Sequence, residues 1–83
     1  MIRILVTGPY EADIELDGVK VAKAFDCDLN RWVIVRNDGD TCGYLDGCYP
    51  ANNHHDLAFA IYECHGDLTE IPEVVNSEEY HNV

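Results

Sequence analysis

The stretch ADIELDGVKVAKAF, residues 12–25, constrains the fold more than any other part of the chain. Ile14 and Leu16 alternate with Asp13 and Glu15, so a strand here has one apolar and one charged face. Asp17-Gly18 then supplies the residue pair that tolerates positive φ at both central positions of a tight primed turn. After the turn, Val19 and Val21 alternate with Lys20, which places lysines where they can pair with acids across the ladder. A hairpin with one dry face needs something apolar to cover it.

The flanking segments extend this sheet. IRILVTG (2–8) is rich in β-branched residues and apolar on both faces at Ile4, Leu5 and Val6, as expected of a covered interior strand. No Gly-x-Gly-x-x-Gly follows it, which excludes a dinucleotide-binding unit. DCDLN (26–30) reads as a polar turn, RWVIVRN (31–37) as a further strand, NDGD (37–40) as a second hairpin turn and TCGYLDG (41–47) as the strand pairing back, with Gly43 marking a bulge or kink.

The period then changes. Pro50 closes the strand, Asn52 or Asn53 can cap a helix, and HHDLAFAIYECHG reads as three helical turns, over 54–65, stopped by Gly66. At 100° per residue, Leu57, Ala60, Ile61 and Cys64 share the face expected to meet the sheet. Residues 67–83 form an acidic tail, broken by Pro72, with room for a short strand at Val74–Val75, a short helix near Ser77–Tyr80 or a frayed end. The expectation is a single α+β domain over 1–83: an antiparallel meander of four to five strands within 1–47, packed on one main helix and followed by the tail.

The chain carries residues suited to three kinds of chemistry. Cys42, Cys48, His54 and Cys64 could supply four zinc ligands, but five residues separate the first two cysteines, where a zinc knuckle has two to four. Asp46-Gly47 also makes its own turn between them, so a hairpin arm, a loop and a helix cap is the better reading. DCDLN begins like a calcium-binding loop, but Arg31 stands where Gly is required and Asn37 where Glu is. Cys64 and His65, as helix neighbours, point about 100° apart and cannot serve as nucleophile and base to each other. Neither metal nor cofactor is expected, and the chain is read as non-enzymatic. MIRILVTG is too short and too polar at its ends for a secretory signal, so a cytoplasmic location with reduced thiols is expected.

Charge is the more informative feature. The net charge is −11, and its layout is uneven. Arg3, Lys20, Lys23, Arg31 and Arg36 are the only Lys and Arg residues, and residues 37–83 contain none against ten acids. Such a chain is poorly suited to bind a phosphate backbone or an anionic membrane directly, and well suited to attract a basic protein surface. A rigid array of carboxylates can compete with nucleic acid for the same lysines and arginines. The candidate contact residues are Asp38, Asp40, Asp46, Asp56, Glu63, Glu70, Glu73, Glu78 and Glu79, with Phe59 and Tyr62 as aromatic anchors on the outer side of the helix. The competing view of Phe59 is that it packs beneath the tail, on Ile71 or Val74.

The short acidic chain, the strand and turn WVIVRNDGD and the helix HHDLAFAIYECHGDLTE with acids after it resemble the small phage-encoded inhibitors of bacterial defence, including acidic anti-CRISPR proteins. That resemblance implies a Cas effector or other nuclease complex as partner, its DNA- or RNA-binding surface blocked in the host cytoplasm. It assigns no role to any single residue. The alternatives are a small zinc- or thiol-based domain, and a structural or accessory protein whose acid serves solubility.

Overall fold

The computed structural model describes residues 1–28, 30–37, 46–78 and 80. Among these residues six strands, β1 (Ile2–Gly8), β2 (Glu11–Leu16), β3 (Val19–Asp28), β4 (Arg31–Arg36), β5 (Gly47–Pro50) and β6 (Glu73–Asn76), accompany one helix, α1 (His54–Cys64). They form a single sheet in the order β5-β4-β3-β2-β1-β6. The pairs from β1 to β5 are antiparallel, as the meander requires. The last pair is not: β6 lies parallel to β1, with Ile4 beside Val74 and Leu5 beside Val75. The expected antiparallel sheet of four to five strands is therefore a mixed sheet of six, in an α+β fold.

The parallel pair follows from the helix. β5 and β6 run in the same direction at opposite edges of the sheet, and α1 lies in the connection between them. A parallel return needs such a crossover, and the crossover covers one sheet face. An eleven-residue helix spans only about 16 Å, less than the ~24 Å between the outer strands, so the segment after it completes the cover. Leu68 packs against the core from that segment, and Pro72 is buried.

The β2–β3 hairpin forms as its sequence predicts. Asp17 has φ 52° and Gly18 φ 87°, the positive pair a primed turn demands. A bulge between Ile14 and Glu15 shifts the register, so that Ile14 faces Ala22 and Glu15 faces Lys20. This is why Val21 and Ala22 are both buried although adjacent in sequence. The expected polar turn at 26–30 is shorter than its composition suggests. β3 continues to Asp28 through a second bulge between Asp26 and Asp28, and Asn30, at φ 59°, occupies the turn. The expected turn at 37–40 and most of the strand expected at 41–47 lie outside the described residues. The strand that pairs with β4 is Gly47–Pro50, with Trp32 opposite Tyr49.

The core lies between the sheet and α1. Ile4, Ile14, Trp32, Ile34, Leu57 and Ile61 are its largest fully buried side chains, and Ala12, Ala22 and Ala24 lie among them. Asn53 caps the helix: its Oδ1 accepts from the Asp56 N–H at 2.9 Å, while Asp56 Oδ2 accepts from the Asn52 N–H at 3.2 Å. Trp32 meets the His54 ring edge-on at 5.0 Å, and the His54 Nε2 lies 3.0 Å from the Glu11 carbonyl, so the first helical residue is tied to β2 and β4. Of the stretch with room for a short helix near Ser77–Tyr80, the described residues Ser77, Glu78 and Tyr80 are not helical, and the Tyr80 N–H donates to the Ser77 carbonyl at 3.1 Å. Among the described residues no helix is long and apolar enough to cross a membrane.

Candidate functional site

The outer face of α1 carries the best-defined candidate surface. Leu57, Ala58, Ala60 and Ile61 turn inward and are buried. Asp56, Phe59 and Glu63, spaced three and four apart, therefore fall together on the opposite side. Phe59 is 49% exposed, a large apolar side chain left in water. Its ring lies 6.5 Å from that of half-buried Tyr62. Of the two residues on which Phe59 might have packed, Ile71 is itself 48% exposed and Val74 packs against the core cluster. A shallow groove of ≈ 370 Å3 runs between this helix face and the segment entering it, bordered by Asn30, Pro50, Asn52, Asp56, Phe59, Glu63 and Cys64.

Cys64 corrects an expectation. The helical repeat places it in line with Leu57 and Ile61, yet it is exposed and opens onto the groove beside Pro50. Its angular position is right, but β5 is the sheet's edge strand among the described residues, and none of them forms a further strand beyond it to bury the last turn. Ala58 supplies buried surface that the sequence reading left out.

The electrostatics of the groove are one-signed. Asp56 stands in the first turn, where a carboxylate meets the positive end of the helix and satisfies the Asn52 N–H. Glu63 stands in the last turn, facing the negative end, and no basic residue accompanies it there. That placement costs ~0.3–1 kcal/mol at an exposed position. Glu63 and Glu70 are exposed and have no cationic partner among the described residues.

The remaining candidate acids lie elsewhere. Asp46 precedes β5, accepts from the Arg36 N–H at 2.8 Å and lies 3.8 Å from its Nε, so its charge is offset locally. Glu73, on the opposite edge strand β6, lies 3.9 Å from Arg3 Nη1. Glu78 borders a hollow with Arg3, Glu15 and Lys20. Glu73 and Glu78 thus join the sheet's uncovered face rather than the helix surface. Asp38, Asp40 and Glu79 lie outside the described residues.

The metal- and thiol-type residues are dispersed. Cys48 pairs with Val33 on β5 and faces away from the core, and Cys64 ends the helix. His54 is engaged with Trp32 and Glu11, and His65 with Tyr49. Cys27, Cys48 and Cys64 are free thiols, and among the described residues no group of three His, Cys, Asp or Glu side chains converges. Cys42 lies outside the described residues. The acid–lysine pairs expected across the first hairpin are present, Lys20 and Lys23 each lying 3.5 Å from Asp13; what sequence reasoning missed is the wider cluster in which Arg3 joins Glu15 and Glu73. Its signal was present in the alternation of Arg3, Asp13, Glu15, Lys20 and Lys23, but their convergence depends on register. Comparison with protein-family models, with curated proteins and with solved structures returns no match.

Proposed function

We propose that this is a non-enzymatic binding protein that docks the outer face of α1 on a basic protein surface, one that otherwise holds nucleic acid. The observation that carries this reading is the juxtaposition of Asp56, Phe59 and Glu63 along one groove. It lies in a stretch, residues 37–83, that contains no Lys or Arg. A half-exposed aromatic ringed by carboxylates fits the side chain of a partner arginine or lysine: the ring accepts the cation on its face, and the acids neutralise it. Glu63 supports the same reading, because a carboxylate kept at the unfavourable end of a helix calls for a compensating use.

By occupying cations that would otherwise contact phosphates, the protein acts as an inhibitor of a nucleoprotein or nuclease complex, in the manner of the anti-CRISPR proteins it resembles. The acids that compete are Asp56 and Glu63 on the helix, with exposed Glu70 in the segment that follows it. Competition binding tests this directly. DNA or RNA already bound to the partner should exclude the protein, and affinity should fall steeply with salt as the Debye length shrinks from ~10 Å at 0.1 M to ~3 Å at 1 M. Phe59→Ala should weaken binding by at least about tenfold. Binding that ignores salt, nucleic acid and Glu63→Lys alike overturns the reading.

A further inference from the structure

The face of the sheet turned away from α1 has a different character from the rest of the molecule. Near β5 it carries an apolar patch, bounded by Arg31 at the start of β4 and by Lys23 beside Val35. Alternation opposite to buried Ala24 and Ile34 brings out Phe25, Val33 and Val35, and the register sets Phe25 beside Val33 and Val33 beside Cys48. Phe25 is 40% exposed and Val35 51%. Toward β6 the face is charged, with both signs interleaved. Arg3 lies 3.0 Å from Glu15, and Lys20 and Lys23 each lie 3.5 Å from Asp13.

We propose that this face is the contact between two copies of the chain, in a two-fold dimer that stacks sheet on sheet. Charge selects the occupant. Two chains of net charge −11 repel, most strongly through the helix side, where residues 37–83 have no Lys or Arg. On the uncovered face the cations are concentrated and the local charge cancels. A uniformly acidic partner would meet Asp13 and Glu15 there, and a uniformly basic one Arg3 and Lys23. A second copy, related by a two-fold axis, presents both signs and an equivalent apolar patch, as a self-complementary contact requires. The stacked sheets would lie about 10 Å apart, with Phe25, Val33 and Val35 of each copy filling the space between them. Both helices then face outward, on opposite sides of the dimer.

Sedimentation velocity on the full chain, from low micromolar to submillimolar concentration, tests this. The expected result is a reversible monomer–dimer equilibrium. Phe25→Glu and Val35→Glu should each weaken it by at least about tenfold, as a charge buried in an apolar contact requires, while Phe59→Ala leaves it unchanged. Raising salt should leave the dimer intact or tighten it, because screening removes the repulsion between two anionic chains. In the unaltered protein, dilution should shift the methyl resonances of Val33 and Val35 and not that of Leu57, a readout independent of any variant's folding. A chain that stays monomeric throughout, even if another protein binds this face, overturns the proposal. So does a dimer that Phe59→Ala abolishes and Phe25→Glu does not.

Discussion

The Tyr49 hydroxyl and His65 Nε2 share a 2.9 Å hydrogen bond that joins the edge strand β5 to the residue capping the far end of α1. The same His65 closes the helix by donating its backbone N–H to the Ile61 carbonyl at 3.1 Å. Tyr49 is 4% exposed, and its hydroxyl is held at the rim of the core. Tyr49→Phe removes the hydroxyl with little change of shape and should cost about 0.5–1.5 kcal/mol, read as a fall of several degrees in Tm. An unchanged Tm would mean that packing alone holds the helix end.

The two sides of α1 should respond oppositely to truncation. Leu57 and Ile61 are fully buried, so Leu57→Ala and Ile61→Ala should each cost ~2–5 kcal/mol. Phe59→Ala and Cys64→Ala, at exposed positions, should change stability far less. Thermal melts of the four variants check the ranking. A loss at Phe59 equal to that at Ile61 would make Phe59 a core residue and remove the anchor from the proposed docking surface.

Asp56 and Glu63 carry the same charge and should behave differently when reversed. Glu63→Lys replaces a carboxylate at the negative end of the helix with a cation, so the fold should gain ~0.3–1 kcal/mol while partner binding weakens. Asp56→Lys loses the acceptor of the Asn52 N–H and an acid at the positive helix end, so it should destabilise the fold as well. Paired measurements of melting and partner affinity separate the two effects. Only Glu63 tests binding without a stability penalty.

Arg3 should matter more than its exposure suggests. Its Nε and Nη2 both reach Glu15 Oε1, at 3.1 and 3.0 Å, and Glu15 is the one charged residue buried among those described. Arg3→Ala strands that carboxylate and should cost about 1–3 kcal/mol. Lys23→Ala, whose ammonium is largely exposed and shares Asp13 with Lys20, should stay within about 0.5 kcal/mol. Equal losses in urea unfolding would show that burial of Glu15 does not govern the cluster.

Local chemistry determined much of this protein from sequence alone. Asp17-Gly18 specified its hairpin because few residue pairs accept positive φ twice, and period-two alternation assigned the faces of β2. Leu57 and Ile61 marked the buried side of the helix and the asparagines at 52 and 53 its start, while the structure decided that Asn53 is the cap and that Phe59, on the outer side by the same 100° step, is exposed. What tertiary structure decided is non-local. The parallel seat of β6 depends on where the crossover delivers residues 73–76, which no short-range pattern encodes. The burial of Val21 depends on a bulge, a one-residue offset between strands. Cys64 is exposed because the sheet ends beneath it, a matter of strand order and not of helical phase. The acids counted as one reservoir in sequence are divided by the sheet: Asp56 and Glu63 stand on the helix, while Glu73 and Glu78 lie among the cations of the opposite face. Composition fixes how much charge a chain carries, but only the folded backbone fixes which charges are neighbours.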